Sequence, residues 1–415
     1  MAKLVLLSFG NGSFDRGFSV TIQIWEDNQL LAKFPGKLPP DTEIPNLYSS
    51  WQSRHKIGLQ RFRIQGDLNQ VTTFSKPELH TLSKKLGQRI NTWINSEMFR
   101  PAKDRLLIEL KKIDEIRIIV ETENIDLQRL PWHLWEFFRY YPNAEVSLSH
   151  PTCERINKLV NPKPKARVLA ILGDSSGIDI EADRRLLKKL SNANAEIVFL
   201  VEPKRQEIDR YLWDTKGWDI LFFAGHSERR QICINPKEYL TVNQLKNALK
   251  TAIKRGLRLA IFNSCDCLEL ARDLADLHLP QMIVMREPIP DRVAQEFIKY
   301  FLEAFSRGEP LYLAVREARE RLQVLEDDFP CATWLPVLCQ NPAEAPLTWQ
   351  ELYSNKGEFF QLPAIPIEET MTEMHKVFDK IVNKKPKTIT CPVCSYENVE
   401  SVIFCEACGS EIRKL

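Results

Sequence analysis

From residue 111 to about residue 338, short apolar and β-branched runs alternate with stretches of helical periodicity. No other feature of the chain restricts the fold as much. Strands are expected at 115–120, 167–172, 195–200, 219–224, 257–263, 281–285 and 334–338. Helices are expected at 180–190, 242–253 and 268–277, followed by two long amphipathic ones at 291–305 and 310–325. Near-continuous apolar strands separated by helices predict an α/β domain whose mostly parallel sheet is covered on both faces.

The flanks have a different texture. Residues 1–110 read as a small α+β module. Val20, Ile22 and Ile24 alternate with Thr21 and Gln23, and Asp27-Asn28 offers a turn before Leu30-Leu31, which predicts a hairpin. Ser75, three residues before Glu78, is the expected cap of a helix whose apolar stripe is Leu79, Leu82, Leu86, Ile90 and Trp93. This module carries no catalytic constellation and reads as structural or partner-docking. The expected division is therefore 1–110, an α/β domain at 111–347, a linker at 348–388 and a cysteine module at 389–415.

Composition excludes several classes. The 57 Lys and Arg against 55 Asp and Glu leave a net charge of +2, so no global field marks a polyanion-binding protein. The longest uncharged stretch, 329–343, is fifteen residues broken by three prolines, whereas a spanning helix needs about 20 apolar residues. The first ten residues lack the length and cleavage site of a signal peptide. The expected location is the cytoplasm, and the scattered cysteines in apolar runs fit a reducing compartment.

Two strand ends carry nucleophile chemistry. One reads Phe222-Phe223-Ala224-Gly225-His226-Ser227, the other Phe262-Asn263-Ser264-Cys265-Asp266-Cys267. Ligand sites of parallel sheets form at the carboxyl ends of strands. Cys265 just before a helix favours a thiolate, and His226 can take or return a proton near neutral pH. Backbone amides of Ser227 and Cys265 can face an oxyanion. Cys267 is the alternative nucleophile, expected a residue or two inside the helix. A structural cysteine and a solvated histidine are the plain alternative for the pair. Arg286-Glu287 is a weaker candidate for substrate contact, and His133 beside Trp132 and Trp135 is expected to be a satisfied, partly buried packing residue.

These strand ends, with Leu130-Pro131-Trp132-His133-Leu134 upstream and Ala332-Thr333-Trp334-Leu335-Pro336 downstream, resemble the CHAT family of caspase-like cysteine peptidases, within the caspase/separase superfamily. The resemblance implies the caspase–haemoglobinase α/β fold, with His226 as general acid/base and Cys265 as nucleophile. It also implies that the loop after strand 167–172 helps to build the substrate pocket. Asp174 would there favour Lys or Arg before the scissile bond; capping a turn is its other reading. Family members usually have glycine where this chain has Ser227 and Cys267.

At the C-terminus, Cys391-Pro392-Val393-Cys394 and Cys405-Glu406-Ala407-Cys408 offer four thiolates to one structural Zn²⁺, with disulfides or an iron–sulfur cluster as alternatives. The segment resembles a zinc ribbon. Glu397, Glu400, Glu406 and Glu411 without any Lys or Arg between 391 and 411 argue against nucleic acid and for a protein-docking or structural role. The expected function is thus a cytosolic cysteine endopeptidase acting on protein or peptide substrates and regulated by its flanking modules. The alternative is a catalytically silent scaffold that binds partner proteins through those modules.

Overall fold

The computed structural model describes residues 2–65, 76–152, 154, 163–228, 230–264, 267–353, 388–395, 397–399, 408 and 410. They belong to two units, Met1–Asn355 and Lys356–Leu415. In the first, β1 (Ala2–Phe9), β2 (Phe18–Glu26) and β3 (Gln29–Leu38) precede α1 (Glu43–Gln65), α2 (Lys76–Ile94) and α3 (Arg100–Glu109). Asp27 and Asn28 both have left-handed φ, +48° and +64°. That is the turn whose twist matches a two-residue hairpin, so β2 and β3 pair antiparallel as expected. Leu79, Leu86, Ile90 and Trp93 are buried along α2, while its expected cap Ser75 lies outside the described residues.

The chain continues through β4 (Glu115–Glu121), α4 (Ile125–Arg129), α5 (Phe137–Tyr140), β5 (Ala144–Ser149), β6 (Ala166–Leu172), α6 (Ile180–Lys188), β7 (Ala195–Val201), α7 (Arg205–Leu212) and β8 (Ile220–Ala224). Short strands β9 (Ser227–Glu228), β10 (Gln231–Asn235) and β11 (Glu238–Thr241) lead to α8 (Lys246–Lys254) and β12 (Leu259–Asn263). Then come α9 (Leu268–Ala275), β13 (Gln281–Met285), α10 (Asp291–Ser306), α11 (Leu311–Arg321) and β14 (Pro336–Gln340).

One sheet of eleven strands runs β3-β2-β1-β4-β5-β14-β13-β12-β8-β6-β7. Nine of its strands form two parallel blocks, β7-β6-β8-β12-β13 and β14-β5-β4-β1, joined by the antiparallel pair β13–β14, and β2 and β3 add antiparallel beyond β1. The sheet is thus mostly parallel with flanking helices, the fold class expected from the alternation. Because β1 pairs with β4, the N-terminal strands extend this sheet, and the apolar interior is continuous from Val5 to Leu352. Trp349, at the start of the expected linker, is buried against Phe305 and donates to the Ala193 carbonyl at 2.8 Å. Among the described residues no helix is long and apolar enough to cross a membrane. The second unit shows a hairpin of β15 (Thr388–Thr390) and β16 (Glu397–Val399).

Strand β5 was not expected, because Glu145, Ser147 and Ser149 occupy buried positions in it. Glu145 is held by Arg319 of α11 at 2.6 Å, both side chains being almost wholly buried. Removing one partner leaves an uncompensated interior charge, so Glu145→Ala should destabilise the first unit by about 3–5 kcal/mol. The double variant Glu145→Leu/Arg319→Met should recover most of that loss, as read from urea unfolding midpoints.

Candidate active site and metal centre

The register of the central strands decides what meets at the carboxyl edge. Leu172 of β6 pairs with Ala224 of β8, which pairs with Asn263 of β12. The three strands therefore end level, and the segments carrying Asp174, His226 and Ser264 leave the sheet side by side. Two glycines permit the crossing. A Cβ on Gly173 would lie 2.2 Å from the Cys233 carbonyl oxygen, and Gly225 has φ +151° with Gly173 packed 3.2 Å from where its own Cβ would be. Gly173 donates to Ala224 at 2.7 Å, Asp174 to Cys233 at 3.0 Å, and Cys233 to His226 at 2.9 Å. These backbone bonds hold the histidine turn.

His226 is half-buried, and its Nε2 lies 2.7 Å from the Ser176 carbonyl. A carbonyl only accepts, so Nε2 carries the proton there. In the neutral ring Nδ1 then keeps the lone pair. Asp174 accepts from the Ser176 hydroxyl at 2.6 Å and its amide at 3.0 Å. The Ser176 hydroxyl, then its amide and the nearby His226, hold this carboxyl below the usual range. Asp174 thus makes the turn that was its alternative reading, within the electrostatic reach of His226.

The pocket beside His226 is lined instead by Asp179, Asp183, Asn263, Ser264 and Asp291, and holds about 380 Å³ counting the solvent at its mouth. Asp183 is 6% exposed and accepts from Asn263 Nδ2 at 2.9 Å. Burial, reinforced by Asp291 and Asp179, pushes its carboxyl up to about 7. Among the described residues no Lys or Arg pairs with it, and Asn263 Oδ1 is buried without a hydrogen-bond partner. Asp183 was missed in the sequence, although it interrupts the buried stripe of α6 between Ile180 and Leu187. A carboxylate in an apolar stripe was the available signal.

Cys265 lies outside the described residues, with Asp266. Its neighbours are placed. Ser264 is buried, and its Oγ is 2.9 Å from Cys267 Sγ. Cys267 is not inside the helix as expected; it is the residue capping α9, its amide donating to the Met285 carbonyl at 3.0 Å. At 1% exposure Cys267 is enclosed, with Ser227 Oγ 3.3 Å from its sulfur. Elsewhere, burial pushes the thiols of Cys331 and Cys339 up to about 12, which makes them inert.

Two further readings are corrected. His133 is not satisfied: its Nε2 is buried without a hydrogen-bond partner among the described residues. Burial, then the charges of Arg319 and Arg286, hold it well below the ordinary histidine range. Arg286 and Glu287 do not face substrate. Arg286 is 4% exposed and donates to the carbonyls of Trp334, Gln128 and Leu130, while Glu287, wholly buried, accepts from Tyr48 and Gln52 of α1.

In the second unit the sulfurs of Cys391, Cys394 and Cys408 lie within 4.8 Å of one another. Cys391 and Cys408 are 3.7 Å apart, and the Val393 amide donates to Cys391 Sγ at 3.4 Å. A disulfide requires about 2.05 Å. Sulfurs at about 2.3 Å from a tetrahedral ion lie roughly 3.8 Å apart, so the spacing fits a metal ion. Cys405 lies outside the described residues.

No curated protein sequence matches this chain. Among solved structures, the Saccharomyces cerevisiae separase–securin complex matches with a TM-score of 0.54 at 8% identity. The match covers 83% of this chain and 30% of the separase chain, so the protein spans under a third of that structure's length. It shows that the two share a fold. The CHAT domain profile matches residues 88–354, well over half of the sequence. The chain belongs to the CHAT-domain family.

Proposed function

We propose that the protein is a cytosolic caspase-like cysteine endopeptidase in which Cys265 is the nucleophile and His226 the general acid/base. The observation that carries this reading is the level termination of β8 and β12 as parallel neighbours, Ala224 against Asn263. It sets the histidine turn beside Ser264, one residue before Cys265. The Cys265 thiolate attacks the scissile carbonyl, and backbone amides of Ser227 and Cys265 receive the oxyanion. His226, oriented by the bond from Nε2 to the Ser176 carbonyl, takes the Cys265 thiol proton on Nδ1 and returns it to the leaving amine. Water then hydrolyses the thioester. Proteins or peptides are the substrates, and the N-terminal region and cysteine module recruit a protein partner.

Basic residues before the scissile bond fit the pocket best. A Lys or Arg side chain would supply the cation that Asp183 lacks among the described residues, in a partly dry site where charge pairing is strong. Asp174 would act at a distance, through His226 and its loop. In the second unit, Cys391, Cys394, Cys405 and Cys408 would hold one structural Zn²⁺.

An electrophilic peptide ketone ending in Arg should label Cys265, and His226→Ala should slow cleavage roughly 10²–10⁴-fold. No labelling, with Cys265 still open to iodoacetamide, would support a silent protein-binding scaffold instead.

Asp183→Asn should abolish the preference for Arg, whereas Asp174→Ala should keep it. The same Asp183 variant has a stability signature. The folded carboxyl titrates near 7, above its unfolded value, so the native state binds more protons between about pH 4 and 7 and loses stability as pH rises through that window. The variant should therefore be more stable than the parent at pH 8, by up to about 4 kcal/mol, and nearly equal below pH 4. Equal stabilities at pH 8 would show that Asp183 is solvated.

Removing metal should erase amide protection across residues 388–410 and leave the first unit protected, since thiolate ligation replaces a core there. Hydrogen exchange with and without a strong chelator reads this directly.

A further inference from the structure

The antiparallel β13–β14 pair gives the sheet two carboxyl edges. Strands β5 and β14 end at the edge opposite His226, with Leu148 paired to Cys339. Ligand sites gather at the carboxyl ends of parallel strands, and this second edge has a pocket of its own. It lies under α9 and holds about 510 Å³ counting the solvent at its mouth. Leu148, Ala271, Met282 and Cys339 make it largely apolar, and no Asp or Glu among the described residues lines it.

Two polar side chains in its wall each hold a buried atom without a hydrogen-bond partner among the described residues. Gln128, 4% exposed, commits its Nε2 to the Thr122 carbonyl at 2.7 Å, which fixes the amide orientation. Its Oε1 is then a buried acceptor with no hydrogen bond among the described residues. His278 Nδ1 is also buried and has no hydrogen bond among the described residues, on a residue held at φ +58°. Buried polar atoms are almost always satisfied, and strained backbone gathers at functional positions. An apolar concavity with a few convergent polar atoms is the usual form of a small-molecule site.

The helix above this pocket links it to the other edge. Ala271 and Ala275 of α9 line it, and the cap of α9 is Cys267, two residues after Cys265. We propose that this pocket is a second ligand site, which takes a small uncharged ring compound donating a hydrogen bond to Gln128 Oε1, and that its occupancy is transmitted along α9 to the Cys265 loop. The transmission rests on the reading of Cys265 as nucleophile; the binding does not.

Phenol and toluene probe it on the full chain, since they differ in the one donor. Phenol should bind saturably at one site by calorimetry, with toluene roughly tenfold weaker because it leaves the acceptor unpaired. Gln128→Met should remove the difference, and Ala275→Leu should block both compounds. Saturating phenol should change the rate of Cys265 alkylation by iodoacetamide at least about twofold in the parent and not in Ala275→Leu. Absence of saturable phenol binding, or equal affinity for toluene in the parent protein, overturns the site whatever the variants do. Binding with an unchanged alkylation rate overturns the transmission. A Cys265 inert to iodoacetamide without phenol removes the nucleophile reading and the transmission with it, while the calorimetry still decides the site.

Discussion

The antiparallel pairing of β13 with β14 sets the rest of the first unit. A buried chain of side-chain amides runs across it: Gln340 donates to Gln281 at 2.9 Å and accepts from Ser147 of β5 at 2.9 Å, and Gln281 donates to the Ala345 carbonyl at 3.2 Å. Slipping the register by one residue would turn these groups to the other face and leave them unpaired. The pairing fixed in this way reverses the polarity of the sheet at its centre. One parallel block therefore presents its carboxyl ends where His226 stands, and the other presents them on the far side, where Gln128 and His278 line one pocket.

The N-terminal region takes part in the same arrangement. Ile44, Tyr48, Trp51 and His55 are buried along one face of α1, and this face grips the residues that follow β13. Trp51 packs against Trp334 with ring centres 5.0 Å apart, Tyr48 donates to Glu287 at 2.9 Å, and His55 Nε2 bonds to the Pro288 carbonyl at 2.8 Å. Burial holds His55 below its usual range, so it stays neutral as a donor. Ile289 and Asp291, directly after the gripped residues, line the pocket beside His226. A partner that displaced α1 would thus act on one wall of that pocket without touching His226.

The parallel block was legible because its strands are buried on both faces and read as unbroken apolar runs; the expected bounds of β13 coincide with the observed Gln281–Met285. Strand β5 was not, since the groups that satisfy Glu145 and Ser147 lie almost two hundred residues away in Arg319 and Gln340. The same limit applies at the site. The loop position of Asp174 was readable, but its bonds to Ser176 are local and consume the carboxylate's near lone pairs. Asp183 belongs to no motif, and it lies on a helix whose packing against Asn263 is visible only once β12 and α6 are in place.

The two positions where the resemblance leads one to expect glycine, Ser227 and Cys267, are forty residues apart in sequence and touch in space. Their side chains lie 3.3 Å apart, with Ser264 Oγ completing the contact at 2.9 Å from the same sulfur. Cys267 is almost wholly enclosed, so its sulfur is directed into the protein rather than across an approaching peptide. The departures therefore read as one joint replacement. Where a glycine pair would leave the turn after His226 and the start of α9 joined by backbone alone, a hydroxyl and a thiol add a side-chain contact between them. Such a contact restrains the separation of the His226 turn from the start of α9, and positional restraint of that kind is what the proposed dyad would need.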